Sequence, residues 1–186
     1  NPDGSLDSGF ASGGATIYYY PNTGYTSLSA VAVQNNGQIV AAGVSAGGPT
    51  AIFVRYNSNG SLDGTFGSGG ATGLPAGQNI STPGAYLGAY GVAIAGGGRI
   101  VSAGPFGNTG TGVDAAQWAV TATGATASDF AGSGTALGPD GAIEACAVAV
   151  APDGSIVAAG GAVSSFPDTT PCTPGSTSSG FVSRRI

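Results

Sequence analysis

The chain has 186 residues, enough for one domain with a real core, and they include 36 glycines, only 7% charged residues, and no lysine, histidine or methionine. Four arginines carry all the side-chain positive charge and the net charge is −5. That excludes a phosphate-neutralising nucleic-acid surface and argues against anionic membranes. No run approaches the roughly 18 apolar residues needed to span a bilayer as a helix.

Low charge combined with regularly placed Val and Ile runs predicts a folded, glycine-rich β protein rather than a disordered chain. Repeat one (residues 1–56) opens with Asn1-Pro2-Asp3-Gly4-Ser5-Leu6-Asp7, reaches Phe10, and passes through the small-residue stretch Ala11–Thr16. A hairpin pattern follows at Val31–Gly43, then a closing strand at Ala51–Tyr56. In that strand Phe53 stands between Ile52 and Val54, which predicts burial on both faces.

Repeat two (residues 57–120) restarts with Asn57-Ser58-Asn59-Gly60-Ser61-Leu62-Asp63 and Phe66, repeats the hairpin at Val92–Gly104, and closes with Ala115–Val120. Repeat three (residues 121–186) has a degraded opening, Thr121–Phe130, then a hairpin at Val148–Gly160 and a closing strand at Phe181–Ile186. Insertions around Leu74–Tyr90 and Gly161–Gly180 read as loops, the second rich in Pro, Ser and Thr. No stretch sustains helical apolar spacing without a glycine interruption. Four strands per repeat of about 60 residues is the arithmetic of a β-propeller blade. The expected fold is therefore all-β, with three four-stranded antiparallel blades and almost no helix, in a single repeat domain.

The element N-x-[DN]-G-S-L-D-x-x-F-x-x-G-G, followed by V-A-V-x-x-x-G-x-I-V-x-A-G, resembles the bacterial delta-60 repeat. Asn1–Phe10, Asn57–Phe66 and all three hairpins carry the likeness, which spans the chain, although Thr121–Phe130 has lost the Asn, the Leu and the Asp. The resemblance implies a β-propeller in an extracellular or cell-surface setting, in a family whose members are largely of unknown function. It carries over no catalytic residues. With no initiating Met and no signal peptide, the chain is expected to be secreted and processed, or cut from something longer.

Ile186 falls just before the place of the next repeat's Asn, so chain end and chain start are expected to be in phase. Three blades do not close a propeller ring. Three readings are open: part of a longer propeller, two copies closing a six-bladed ring, or copies joined end to end in a filament. Exposed edge strands at both ends favour a homo-oligomer.

Candidate chemistry is sparse. Alternate oxygens at Asp3, Asp7, Asn59 and Asp63 are weak calcium candidates, but Gly4 and Gly60 sit at position four and no glutamate closes the loop. The competing reading, an Asx or type I′ turn joining blades, is preferred, so no metal and no cofactor are expected. With no histidine and one glutamate, Glu144, general bases are nearly absent, and an enzyme is not expected. Tyr18, Tyr19, Tyr20 and Tyr25 form the densest aromatic patch, a candidate site for a glycan or protein ligand competing with plain strand packing. Trp118 is assigned to the core. Cys146 and Cys172 are expected to form a disulfide in an oxidising compartment. Asn59 and Asn79 fit N-glycosylation triplets, and Thr169, Thr170 and Thr173 lie in a mucin-like stretch. The functional expectation is a non-catalytic structural or adhesion module that self-assembles head to tail. The alternative is a glycan- or peptide-binding propeller.

Overall fold

The computed structural model describes residues 1–19, 26–45, 50–73, 88–108, 112–139, 144–162 and 179–186. Over these the chain is all-β, apart from a single 3₁₀ turn, Gly96–Gly98, at one hairpin tip. The first sheet holds β1 (Thr26–Val33), β2 (Ile39–Ser45), β3 (Thr50–Tyr56) and β4 (Ala71–Gly73), in that spatial order. The second holds β5 (Gly91–Ile94), β6 (Ile100–Asn108), β7 (Gly112–Val120) and β8 (Thr135–Leu137). The third holds β9 (Glu144–Val150), β10 (Ile156–Ala162) and β11 (Ser179–Arg185). All pairings are antiparallel, and the first strands of the sheets contact one another in the order β1, β5, β9. The sheets therefore stand in a row like consecutive blades.

The recurring hairpins are the β1–β2, β5–β6 and β9–β10 pairs. Their last glycine has a geometric cause. Opposite Gly43 and Gly160 the partner strand carries a β-bulge, with Ser29 and Cys146 as the extra residues. The bulge brings backbone against backbone. A Cβ at Gly43 or Gly160 would lie 1.9 Å from a carbonyl oxygen of the facing strand, and one at Gly104 would lie 1.7 Å from the carbonyl oxygen of Gly88, just ahead of β5, so only glycine fits at all three.

Two expectations need correction. The four-stranded blade is present twice, and the third sheet has three strands among the described residues. Strand membership is also offset from the sequence repeat. β4 and β8 follow the opening turns of repeats two and three, yet they pair with β3 and β7 of the repeat before. The turn unit reverses the chain, and the Asp63 amide donates to the Arg55 carbonyl (2.9 Å) while the Arg55 amide donates to that of Gly70 (2.9 Å). A strand leaving that unit must therefore lie antiparallel to the closing strand behind it.

The phasing of the chain ends is also one residue different from the expectation. Val157 faces Arg184 where Val40 faces Arg55, so Arg185 takes the place of Tyr56 and Ile186 that of Asn57. Side-chain alternation decides this register. It turns Phe181 onto Ala103, Ala115, Ala145 and Ala158, whereas a one-residue slip would bury Val182 and expel Phe181.

Cores lie between neighbouring sheets. Val40, Ala42 and Phe53 of sheet one pack against Ile100, Trp118 and Val120 of sheet two. Val101 and Ala119 on the other face of sheet two meet Ile156, Val148 and Val150 of sheet three. Ile52, Phe53 and Val54 are all fully buried, so β3 is covered on both faces, and Trp118 is core. Each such large apolar side chain removed from water contributes roughly 1.5–3 kcal/mol before conformational entropy is counted.

Candidate functional site

Three turn units, beginning at Asn1, Asn57 and Thr121, line one margin of the row. Each closes with the same backbone bonds: Gly4 to Asn1, Gly60 to Asn57 and Gly124 to Thr121, then Phe10 to Asp7, Phe66 to Asp63 and Phe130 to Ala127. Within the four-residue turns Asn1–Gly4, Asn57–Gly60 and Thr121–Gly124, only the last residue, glycine, has positive φ. A type I′ turn needs positive φ at both central residues, so that form is excluded. The observed turn is an i to i+3 turn followed by a left-handed glycine, reinforced by an Asx bond. Asp3 Oδ1 accepts from the Ser5 amide (2.9 Å) and hydroxyl (2.7 Å), and Asn59 Oδ1 accepts from Ser61 in the same way (3.0 and 2.7 Å).

The weak calcium candidates are thus spent locally. Asp7 Oδ1 takes the Gly9 amide (2.9 Å), and Asp63 Oδ1 takes the Thr65 amide (3.0 Å) and hydroxyl (2.6 Å). Among the described residues no cluster of three or more His, Cys, Asp or Glu side chains could hold a metal ion. Hydrogen bonds from Ser5 hold the Asp3 carboxyl below its ordinary pKa, and those from Ser155 do the same for Asp153. For Asp63 the Thr65 hydroxyl is the leading cause of a lowered pKa; burial opposes it, and the Thr65 amide and Arg55 reinforce it.

Asp63 has a role the motif did not announce. Its Oδ2 accepts from Arg55 Nε and from Gln38 Nε2, each at 2.7 Å. Arg55 and Asp63 are 7% and 5% exposed, and the guanidinium lies 4.6 Å over the Phe66 ring. At the next junction the equivalent residues are Ala119 and Ala127, both buried, with the same backbone bonds (Ala127 to Ala119, 3.1 Å; Ala119 to Gly134, 2.9 Å). Charge faces charge at one junction and methyl faces methyl at the other. Paired variation between repeats was the sequence signal that could have revealed this ion pair.

The tyrosine patch is divided. Tyr18 is half-buried against the cluster of Ile52, Val54, Tyr56 and Ala71, while Tyr19 is exposed; Tyr20 and Tyr25 lie outside the described residues. Burial, with Tyr18 adding to it, pushes the Tyr56 hydroxyl pKa up. Tyr18 and Tyr19 border an open cleft of about 830 Å³ floored by Gly67–Gly69 and Thr123–Ala125. Its walls are backbone, tyrosine, Leu62, alanine and short hydroxyl side chains, suited to stacking, apolar contact and hydrogen bonding.

Cys146 is the bulge residue of β9 and is not a free thiol; Cys172 lies outside the described residues. Asn59 is exposed on its turn, and Asn79, Thr169, Thr170 and Thr173 lie outside the described residues. No described helix is long and apolar enough to cross a membrane.

A family model described as a domain of unknown function (DUF5122) beta-propeller matches residues 34–66, the span from the first hairpin tip through β2, β3 and the second turn unit. With the row of antiparallel sheets, that match supports a β-propeller repeat family. A comparison with curated proteins gives no match.

Proposed function

We propose that this chain is a non-catalytic β-propeller-repeat module of the delta-60 type, working outside the cell or on its surface in structure or adhesion and assembling head to tail. One observation carries this reading. Among the described residues, the most exposed large apolar side chains apart from Tyr19 and the terminal Ile186 are Leu6, Ile17, Val31, Val33 and Val182, all between 64% and 73% exposed. They sit at the two ends of the row of sheets. Their counterparts in the middle, such as Val92, Ile94, Val148 and Val150, pack against a neighbouring sheet. Apolar surface concentrated in this way is the mark of an interaction face.

Sedimentation of the chain across a range of concentrations tests the reading, with electron microscopy of the largest species. Masses that grow as multiples of 17.6 kDa are expected, and a monodisperse monomer at every concentration would overturn it. A second reading, glycan or peptide binding, is favoured by the cleft beside Tyr18 and Tyr19. Saturable binding to a sugar array, lost in Tyr19→Ala, would support it.

A further inference from the structure

A second open cleft, of about 460 Å³, lies between sheets one and two at their hairpin tips, apart from the tyrosines. Gln34, Asn35 and Arg55 line it from sheet one, and the Gly96–Gly98 turn lines it from sheet two. Arg55 is the one charged side chain in the described lining, which contains no aromatic ring. Its volume falls within the range of small-molecule sites, about 300–1,000 Å³.

The lining carries hydrogen-bonding capacity that the described protein leaves unused. Gln34 is 8% exposed, and its Oε1 is buried with no donor beside it among the described residues. A buried acceptor left in that state lowers stability. Arg55 spends Nε on Asp63 and Nη1 on the Ala122 carbonyl, which leaves Nη2. Asn35 adds an exposed carboxamide. The fold itself does not require these side chains. Gln34 takes the hairpin position of Ala95 and Ala151, and all three amides make the same bond, to the carbonyls of Gln38, Arg99 and Ser155 (2.8 Å each). In the gap between sheets two and three, Ala95 packs on a cluster that includes Val101, Ala119 and Ala127, with Ala119 in the place of Arg55. One gap is thus lined with methyl groups, while the other keeps a carboxamide and a guanidinium beside open space. A local choice that costs stability without serving the fold is the mark of a functional site.

We infer that this cleft binds a neutral sugar residue, held by Gln34, Asn35 and Arg55. The other ligand classes fit the lining less well. A cation meets the Arg55 guanidinium and finds no carboxylate in the described lining. A carboxylate or phosphate takes the Arg55 Nη2 but brings no proton for Gln34 Oε1, and Asp63 already neutralises the guanidinium. A hydroxyl does both, accepting from Arg55 and donating to a carboxamide oxygen. The last torsion of a glutamine is broad and two-fold, so either end of the Gln34 carboxamide can turn to the ligand. Ile94 and Ala95 offer apolar surface to the C–H face of the ring. Without an aromatic platform the affinity is modest, with a Kd of about 1 mM for a single sugar. The site is distinct from the cleft at Tyr18 and Tyr19, and it does not depend on assembly.

The test titrates the full chain, Gln34→Ala and Tyr19→Ala with the methyl glycosides of glucose, galactose, mannose and N-acetylglucosamine, and with acetate, followed by NMR. Saturable binding of at least one glycoside is expected, weakened about tenfold or more in Gln34→Ala by loss of a hydrogen-bonding group. The thermal midpoint of Gln34→Ala is expected to equal or exceed that of the native chain, because alanine already stands at this position in the other two hairpins. No saturation by any of the four glycosides up to about 50 mM would overturn the inference. Native-like binding by Gln34→Ala would overturn it too. Binding lost in Tyr19→Ala but kept in Gln34→Ala would move the sugar to the tyrosine cleft, and saturation by acetate alone would replace the sugar with an anion. Should Gln34→Ala lower the midpoint, Asn35→Ala, at an exposed position, decides the matter: weakened glycoside binding is expected, and unchanged binding would overturn the site.

Discussion

Replacing Asp63 by alanine is expected to be among the most damaging single changes in the turn units. The substitution strands Arg55, which is 7% exposed and whose Nε has Asp63 Oδ2 at 2.7 Å as its described acceptor. It also strips Gln38 Nε2 and the Thr65 amide and hydroxyl of their acceptor. Removing one partner of a buried ion pair costs about 3–5 kcal/mol, because an uncompensated charge stays in a poorly solvated site. Removing both is different. Ala119 and Ala127 occupy the same two positions at the next junction and are accommodated there with the backbone bonds intact. The Arg55→Ala/Asp63→Ala double variant is therefore expected to be more stable than Asp63→Ala by about 1–3 kcal/mol, a strongly non-additive cycle. Urea denaturation of the four chains, followed by the fluorescence of Trp118, measures it directly. Additive losses, or a single-variant loss under about 1 kcal/mol, would refute the claim that this pair is a buried, interdependent unit.

Further outcomes follow from the same structure. Asp63 has a lowered folded-state pKa, so its contribution is fully present above the ordinary carboxylate value of 3.8 and is lost as pH falls through the lower folded value. Stability should accordingly be flat to about pH 5 and drop below about pH 4, and Asp63→Asn should shallow that drop. An unchanged acid limb in Asp63→Asn would remove Asp63 from the explanation. Gly104→Ala forces a methyl to within 1.7 Å of the Gly88 carbonyl oxygen and should cost about 1–3 kcal/mol or more, whereas Gly96→Ala, with nothing within 4 Å, should cost under about 1 kcal/mol. Equal midpoints for the two would contradict the close backbone approach of Gly88 to Gly104. Trp118→Phe, which shrinks a fully buried ring between sheets one and two, should lower stability by about 1–3 kcal/mol in thermal unfolding followed by circular dichroism, and a neutral result would place Trp118 outside the core.

Much of the fold was legible because it is periodic. Val31–Gly43, Val92–Gly104 and Val148–Gly160 carry strand alternation around a glycine turn, and short-range sterics alone make that a hairpin. The triplet Ile52-Phe53-Val54 announced a strand buried on both faces, and it is. Local chemistry also specified the turn units, whose Asx bonds span only a few residues. What the chain could not declare locally is which strand each unit joins. That β4 and β8 belong to the sheet before them depends on hydrogen bonds between the turn unit and the preceding closing strand, and the one-residue register of β11 depends on where Phe181 finds its alanine-lined site. The candidate site followed the same division. Tyr18 and Tyr19 were visible as a patch, but their separation into a packed and an exposed ring came from the contact with sheet one. Asp63 looked like one oxygen of a calcium loop, and became the buried partner of Arg55 only once β3 was laid beside the turn. Sequence alone determined periodicity and turn chemistry, because these are properties of neighbours along the chain. Tertiary structure decided partnership, because pairing edges and burying charges are settled between segments that meet only in space.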